Sequence, residues 1–405
     1  MSQSANLTAN NLVYNIPASS TNAISRQYRQ SYFDQRTYAS QRTMRCVLNT
    51  GNNFVNCANS SLVIKLQATN DGDYLSLGVG SIYNILKNVR VFSKSGVELS
   101  NVLNANLNRA VEDQMTKSPE WFNTIGDLMG YTGANHQIDD SNIREYVIPL
   151  TLVSPVFNPM GKQQCPPQLA SGCIIECDLE SSDIAFVRGG GTASDYTVED
   201  IYFNLDCTTM NDNTVGTLNQ IASKSLLQWA YVDVYNSRIT QNSGNSILST
   251  SINRSVSFAD HIVALLQNQS RAINATQDCF AVPYADAPSS YQYTLGSIQL
   301  PSNQEVAGEV QTSFQALSTY AKLQEEDAII SRISGLSFQD ECAPKTCSFS
   351  KDQLMSLSQI PISSARSLRL EVNYDSAPAE SQVCNVYLHY VKIVDLSLSD
   401  SKVSY

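Results

Sequence analysis

From Tyr32 onward, apolar and polar residues alternate in short runs separated by clusters of Asn, Gly, Ser and Asp. That pattern predicts strands joined by turns. In the first half the runs are SLVIKL (61–66), NVRVFS (88–93), EYVIPLTLV (145–153), CIIECDL (173–179) and IYFNLDC (201–207). In the second they are WAYVDVY (229–235), HIVALLQ (261–267), YQYTLGSIQL (291–300), SLRLEVNY (367–374) and NVYLHYVKIVDLSL (385–398). A strand alternates its side chains between two faces, so Cys173, Ile175 and Cys177 share one face and read as core. In the last run Val386, Leu388, Tyr390 and Lys392 share one side, with Tyr387, His389, Val391 and Ile393 on the other. Both sides look covered, which suits a strand inside a sandwich or at an interface.

Two stretches change to helical spacing. Leu103, Leu107, Ala110, Val111 and Met115 predict a helix over 101–117. Val306, Val310, Phe314 and Leu317, after a capping Asn303, predict another over 304–330. The order strands, helix, strands therefore occurs twice, with a polar, Gly-containing joint at 209–220. Many short strands and few helices favour antiparallel sandwiches over βαβ units. About 180 residues per unit exceeds a plain immunoglobulin-like module and suits an eight-stranded jelly roll with long loops. The expected fold is all-β: two tandem eight-stranded antiparallel jelly rolls with short helices in long loops. Residues 1–31 read as an N-terminal arm, 32–215 as the first roll and 216–405 as the second.

Composition narrows the function classes. The 405 residues are 42% hydrophobic and only 16% charged, with a net charge of −11. That charge argues against a surface that grips nucleic acid throughout. Yet the first 45 residues carry Arg26, Arg29, Arg36, Arg42 and Arg45 against the single acid Asp34. An acidic body with a basic leader marks a candidate interaction segment. No apolar run approaches membrane-spanning length, and the N-terminus lacks the basic start and apolar core of a signal peptide, so export by that route is not expected.

Candidate chemistry is sparse. Ten cysteines without an export signal are expected to be free and buried. Cys342 and Cys347 suit a local disulfide or half a metal site, but no second pair or nearby His completes one. His136, His261 and His389 are far apart in sequence, and Asp260 and His261, as strand neighbours, should point to opposite faces. RGGG (188–191) lacks the spacing of a phosphate-binding loop and reads as a surface loop. The sequons, Asn6 and Asn59 among them, are expected to be unmodified. No catalytic residue, cofactor or metal is predicted.

Several segments carry a family resemblance. SYQYTLGSIQLPSNQEV (290–306) has a tyrosine-rich strand, a Gly, and then a Pro before the expected helix. With SINRSVSFADHIVALLQNQS (251–270), the stretch 144–180 and the closing hairpin 367–398, it resembles the double jelly-roll major capsid proteins. That lineage takes in tectiviruses, adenovirus hexons, virophages, polinton-like viruses and large eukaryotic DNA viruses. The resemblance implies a non-enzymatic structural protein of the virion. Three subunits would form a pseudo-hexagonal capsomer of an icosahedral shell around double-stranded DNA, made in the host cytoplasm or nucleus. Implied partners are two further copies, neighbouring capsomers, and penton and minor capsid proteins. An internal membrane or the genome would meet the arm through Arg26, Arg29, Arg36, Arg42 and Arg45. The competing readings are a β-sandwich adhesin or carbohydrate-binding protein, and a jelly-roll glycosidase. The latter needs a groove with two carboxylates roughly 5–10 Å apart.

Overall fold

In the computed structural model, the described residues are 23–404 apart from 70–73, 78–79, 132–136, 162, 189–194, 225–226, 271–277, 281–287, 307–344, 350–359, 364–366 and 398–400. Eight principal strands build the first half: β1 (Ala23–Tyr32), β2 (Thr43–Val47), β3 (Ser61–Ala68), β4 (Leu86–Phe92), β5 (Glu98–Val102), β6 (Arg144–Pro149), β7 (Ile174–Leu179) and β8 (Tyr196–Met210). Eight more build the second: β9 (Leu227–Gln241), β10 (Ile247–Ile252), β11 (Val256–Asn268), β12 (Ser290–Leu295), β13 (Ile298–Val306), β14 (Lys345–Ser348), β15 (Leu368–Asn373) and β16 (Gln382–Leu396). Every pairing among them is antiparallel.

The strand orders repeat. The first half has sheets β1-β8-β3-β6 and β2-β7-β4-β5; the second has β9-β16-β11-β14 and β10-β15-β12-β13. Each strand of one half corresponds to the strand eight places later in the other. This is a jelly roll, twice.

Alternation explains the cores. Cys173, Ile175 and Cys177 are all fully buried, as their spacing predicts. In β8 a bulge between Val198 and Asp200 shifts the phase, so Tyr196 and Val198 are followed inward by Ile201, Phe203, Leu205 and Cys207. A helix, α1 (Ala105–Thr116), follows β5 and buries Leu107, Ala110, Val111 and Met115. It starts later than its apolar spacing predicts, because residues 98–102 are taken up by β5 and Asn104 is left-handed.

Four expectations are corrected. Residues 23–31 are not part of an arm, because β1 pairs along β8 from Ala23 to Tyr32. The polar joint is a helix, α2 (Asp212–Ser223), started by the Asn211 side chain accepting from the Thr214 N–H at 2.8 Å. The run 145–153 stops being a strand at Pro149 and becomes a helical turn. The expected helix over 304–330 does not begin at 304, since β13 continues to Val306 by pairing with β12; residues 307–330 lie outside the described residues, as do His136, Cys342 and the RGGG glycines.

Candidate functional site

The two halves meet at the outer face of the β9-β16-β11 sheet. Cys384, Val386, Leu388 and Tyr390 on β16 enter the second half's own core with Ile262, Ala264 and Leu266 of β11. On the opposite side, Tyr387, Val263 and Leu265 join the core of the first half, as do Trp229, Tyr231, Val394 and Leu396. The strand whose two faces both looked covered in the sequence is thus a wall shared between two cores. Directional bonds fix the contact. Trp229 Nε1 donates to the Val156 carbonyl at 2.8 Å, the Met160 N–H donates to Ala230 O at 2.9 Å, and the Tyr387 hydroxyl donates to Asn104 O at 3.0 Å.

A charge pair is sealed inside this seam. Lys392 Nζ lies 3.2 Å from Asp233 Oδ2 and also donates to the Leu99 carbonyl. The Asp233 carboxylate further accepts from Ser100 Oγ at 2.6 Å and from the Tyr390 hydroxyl at 3.1 Å. Both charged side chains are at most 3% exposed, so the pair is tolerable only because hydrogen bonds satisfy it. A lysine on a strand with two covered faces signals such a partner, but the partner itself is far away in sequence.

A second buried group sits where Glu112 of α1 meets His389 of β16. The His261 and His389 rings stack with centroids 4.0 Å apart and planes 15° from parallel. Their strand register makes them direct cross-strand neighbours. His261 Nδ1 is 2.9 Å from Asp260 Oδ2, and His389 Nε2 is 3.5 Å from Glu112 Oε1 on α1. The expectation that Asp260 and His261 diverge fails because a bulge between Ala259 and His261 breaks the alternation there. Burial pushes His389 well below the ordinary imidazole range, aided by His261 and Arg109.

On the corresponding outer face in the first half, the β8 and β3 positions Asp206, Thr208 and Val63 are buried, but the β1 row is exposed. Ile24, Arg26, Tyr28, Gln30 and Tyr32 alternate onto it, and Ile24, Tyr28 and Tyr32 are 67%, 59% and 58% exposed. Tyr32 packs on Tyr202 of β8 with centroids 5.5 Å apart. Three large apolar side chains in one exposed row are a candidate interface.

The five singled-out arginines do not gather into one basic surface. Arg26 clasps both oxygens of buried Asp206 at 2.7 Å each, holding that carboxyl below its usual range. Arg29 is half-buried on the other face of β1. Arg36 is exposed, 3.8 Å from Asp200. Arg42 is exposed beside β2, and Arg45 on β2 lies 3.9 Å from Asp34 and 3.6 Å from Glu176.

An open groove of about 590 Å³ beside β4 and β7 carries Asp178 and Glu180 together with Lys87 and Arg90. Burial raises the Asp178 carboxyl, but hydrogen bonds from Asn88 and Thr43 and the Arg90 charge outweigh it, so it stays an anion. Glu180 pairs with Lys87 at 3.2 Å. Asp178 is therefore not held protonated as a glycosidase acid must be. Nine cysteines are described, all free and buried, with burial pushing Cys46 and Cys384 up to about 12. Among the described residues no group of His, Cys, Asp and Glu is placed to hold a metal, and no helix is long and apolar enough to cross a membrane.

Two eight-stranded sandwiches of one strand order, joined in tandem, define the chain as a double jelly roll. No protein-family model and no curated protein sequence matches it. Solved structures do. It is similar to VP54 of PBCV-1, as fitted into a reconstruction of the virophage Sputnik, with TM-score 0.65 and 9% identity over 97% of this chain and 99% of that one. Against the Faustovirus major capsid protein the TM-score is 0.63 and the identity 8%, over 95% and 92%. Against a chain of the Sputnik virophage structure they are 0.57 and 10%, over 96% and 90%. The chain shares the whole fold of these viral proteins, not one sandwich of it.

Proposed function

We propose that this chain is a major capsid protein, the repeating unit of an icosahedral shell around double-stranded DNA, and that it works as a ring of three copies. One observation carries the reading: of two equivalent sheet faces, one is covered by the first half and the other, among the described residues, carries an exposed row on β1. The first half, through β5, α1 and the segment around Val156, covers the outer face of β9-β16-β11. The strand equivalent to β5 is β13, and from its last residue onward the sequence carries the apolar spacing Val306, Val310, Phe314 and Leu317. In a neighbouring copy the second half is the proposed cover for Ile24, Tyr28 and Tyr32. Such a contact is head-to-tail, and it closes into a ring when the rotation per copy divides a full turn. Three copies place six similar sandwiches around the ring, the symmetry a hexagonal lattice position requires. The proteins of like fold named above support the shell reading, and with it a place in the virion and contacts with neighbouring capsomers. Arg36 and Arg42, exposed, and whatever precedes Ala23 are the proposed contacts with the shell interior.

Light scattering on the purified chain tests the ring. The expected mass is roughly 130 kDa, three times the 44.5 kDa chain, with six-walled particles in negative stain. A monodisperse 44.5 kDa species at every concentration and salt overturns it.

A further inference from the structure

The buried histidine pair stands apart from the apolar residues of the seam. Its position gives it a different capacity. Both rings are almost wholly buried, His261 on β11 and His389 on β16, beneath a helix contributed by the other half of the chain. Among the described residues, these charged groups face the pair. Asp260 lies on the strand of His261 at 2.9 Å. From α1 come Glu112, 3.5 Å from His389, and Arg109, which pairs with Glu112 and lies 3.6 Å from Asp113. Asp113 in turn accepts from the Tyr131 hydroxyl at 2.7 Å, and Lys117 sits in its field.

We propose that the stacked His261–His389 pair is an acid-sensitive latch between the two halves. Neutral, it lets α1 seat against β16 at His389; protonated, it drives α1 off that strand. The charge count explains why. A first proton on the stack has a carboxylate to meet it, at Asp260 or Glu112. A second places two cations face to face at 4.0 Å, and Glu112 is already shared with Arg109. Lifting α1 admits water to both rings and removes Arg109 from beside them. The released form therefore binds more protons than the seated form, and acid favours it. The depressed imidazole of His389 agrees with this direction. The latch belongs to the folded chain and stands whether or not the chain builds a shell.

Hydrogen exchange read by mass spectrometry tests it on the full chain, with rates corrected for the intrinsic effect of pH. Between pH 7.5 and 5.0, protection of α1 amides (105–116) is expected to fall by roughly tenfold or more, as uptake of about one proton across that range implies. Protection of β3 (61–68), distant from the pair, should stay within about twofold. In His389→Gln, which keeps a neutral polar side chain, the acid-dependent loss should shrink to within about twofold. Unchanged α1 protection in the native chain, or an equal loss in His389→Gln, overturns the latch. Should that variant not fold, NMR of the native imidazoles decides. A His389 ring that titrates near the ordinary value of about 6.5 with α1 still protected overturns the latch, and one that titrates only as α1 is released supports it.

Discussion

β1 and β9 hold the same place in their two sandwiches, yet they could hardly differ more. Each is the edge strand beside a long central strand, β8 or β16. On β9, Trp229 and Tyr231 are buried in the core of the other half, and Asp233 is sealed against Lys392. On β1 only Ser31 is buried. Its inward positions are Gln27, Arg29 and Ser31, and its outward row is exposed. β1 is held by its backbone ladder and by the Arg26–Asp206 clasp rather than by packing. Among the described residues, the same topology thus gives a buried edge strand where the first half covers it and an exposed one at β1. Edge strands left open are a hazard that proteins usually blunt, so an open row of Ile and Tyr speaks for a surface that is covered later.

The comparison breaks most sharply at Asp233. Asp233→Ala leaves Lys392 charged and unmatched inside the seam and takes an acceptor from Tyr390 and Ser100. The expected loss is about 3–5 kcal/mol in urea unfolding. The exposed Arg36–Asp200 contact is its counterpart on the first half, and Arg36→Ala should change stability by less than about 0.5 kcal/mol. Losses of similar size in the two variants would mean that the seam is no more cohesive than the surface.

Acid probes the same seam more gently. His389 is neutral when folded and takes a proton when unfolded, so the unfolded chain binds more protons as pH falls below about 6.5. Stability should therefore be flat above that pH and decline below it, by at most about 1.4 kcal/mol per pH unit for one proton. Thermal melts from pH 7.5 to 5.0 read this out. The bound carboxylates Asp206 and Asp178 act in a lower window, since their depressed folded values withdraw stability only near and below the usual carboxylate range of about 4. A melt that improves on acidification to pH 5.0 contradicts the assignment of His389 as a buried neutral ring.

How much of this was legible in the sequence follows from where packing leaves a periodic mark. Each of the ten alternating runs contains a strand, because each buries a face in a core, although 145–153 turns helical after Pro149. β1 reads as an arm because in AISRQYRQSY the row of Ile24, Tyr28 and Tyr32 is interrupted by Arg26 and Gln30 and the opposite face is polar, so no continuous apolar face shows. The seam was half legible. NVYLHYVKIVDL showed two covered faces and an odd lysine, while Asp233 lies 159 positions away and no local pattern joins them. The histidine pair was illegible, since it needs a cross-strand register and a bulge that breaks the alternation rule at Asp260. The arginines misled for a related reason. Counted along the chain they form a basic leader; folded, Arg26, Arg36 and Arg45 each face an acid from a distant strand or loop.

The clasp on β1 offers a smaller test. Removing the guanidinium with Arg26→Ala should let the Asp206 carboxyl rise toward the ordinary value of about 3.9, followed by carboxyl-carbon NMR. Asn59 Nδ2, 3.3 Å away, remains as a donor, so the return is partial. An Asp206 titration that does not move would show that its surroundings, not Arg26, hold it down.

The smallest expected effect on the folded chain carries the most meaning for assembly. Tyr28 is 59% exposed on the outward row of β1, so Tyr28→Asp should alter unfolding of the single chain by less than about 0.5 kcal/mol. If β1 is the wall that a neighbouring copy covers, the same change buries an unmatched charge at the contact and splits the ring. Light scattering should then fall from the trimer mass to 44.5 kDa with the melt unchanged. Ile247, 56% exposed on β10 in the other sheet of the second half, is the control: Ile247→Asp should leave the trimer whole. A trimer that survives Tyr28→Asp but not Ile247→Asp would move the contact to the second half, and the contrast between β1 and β9 would then concern only edge strands, not assembly.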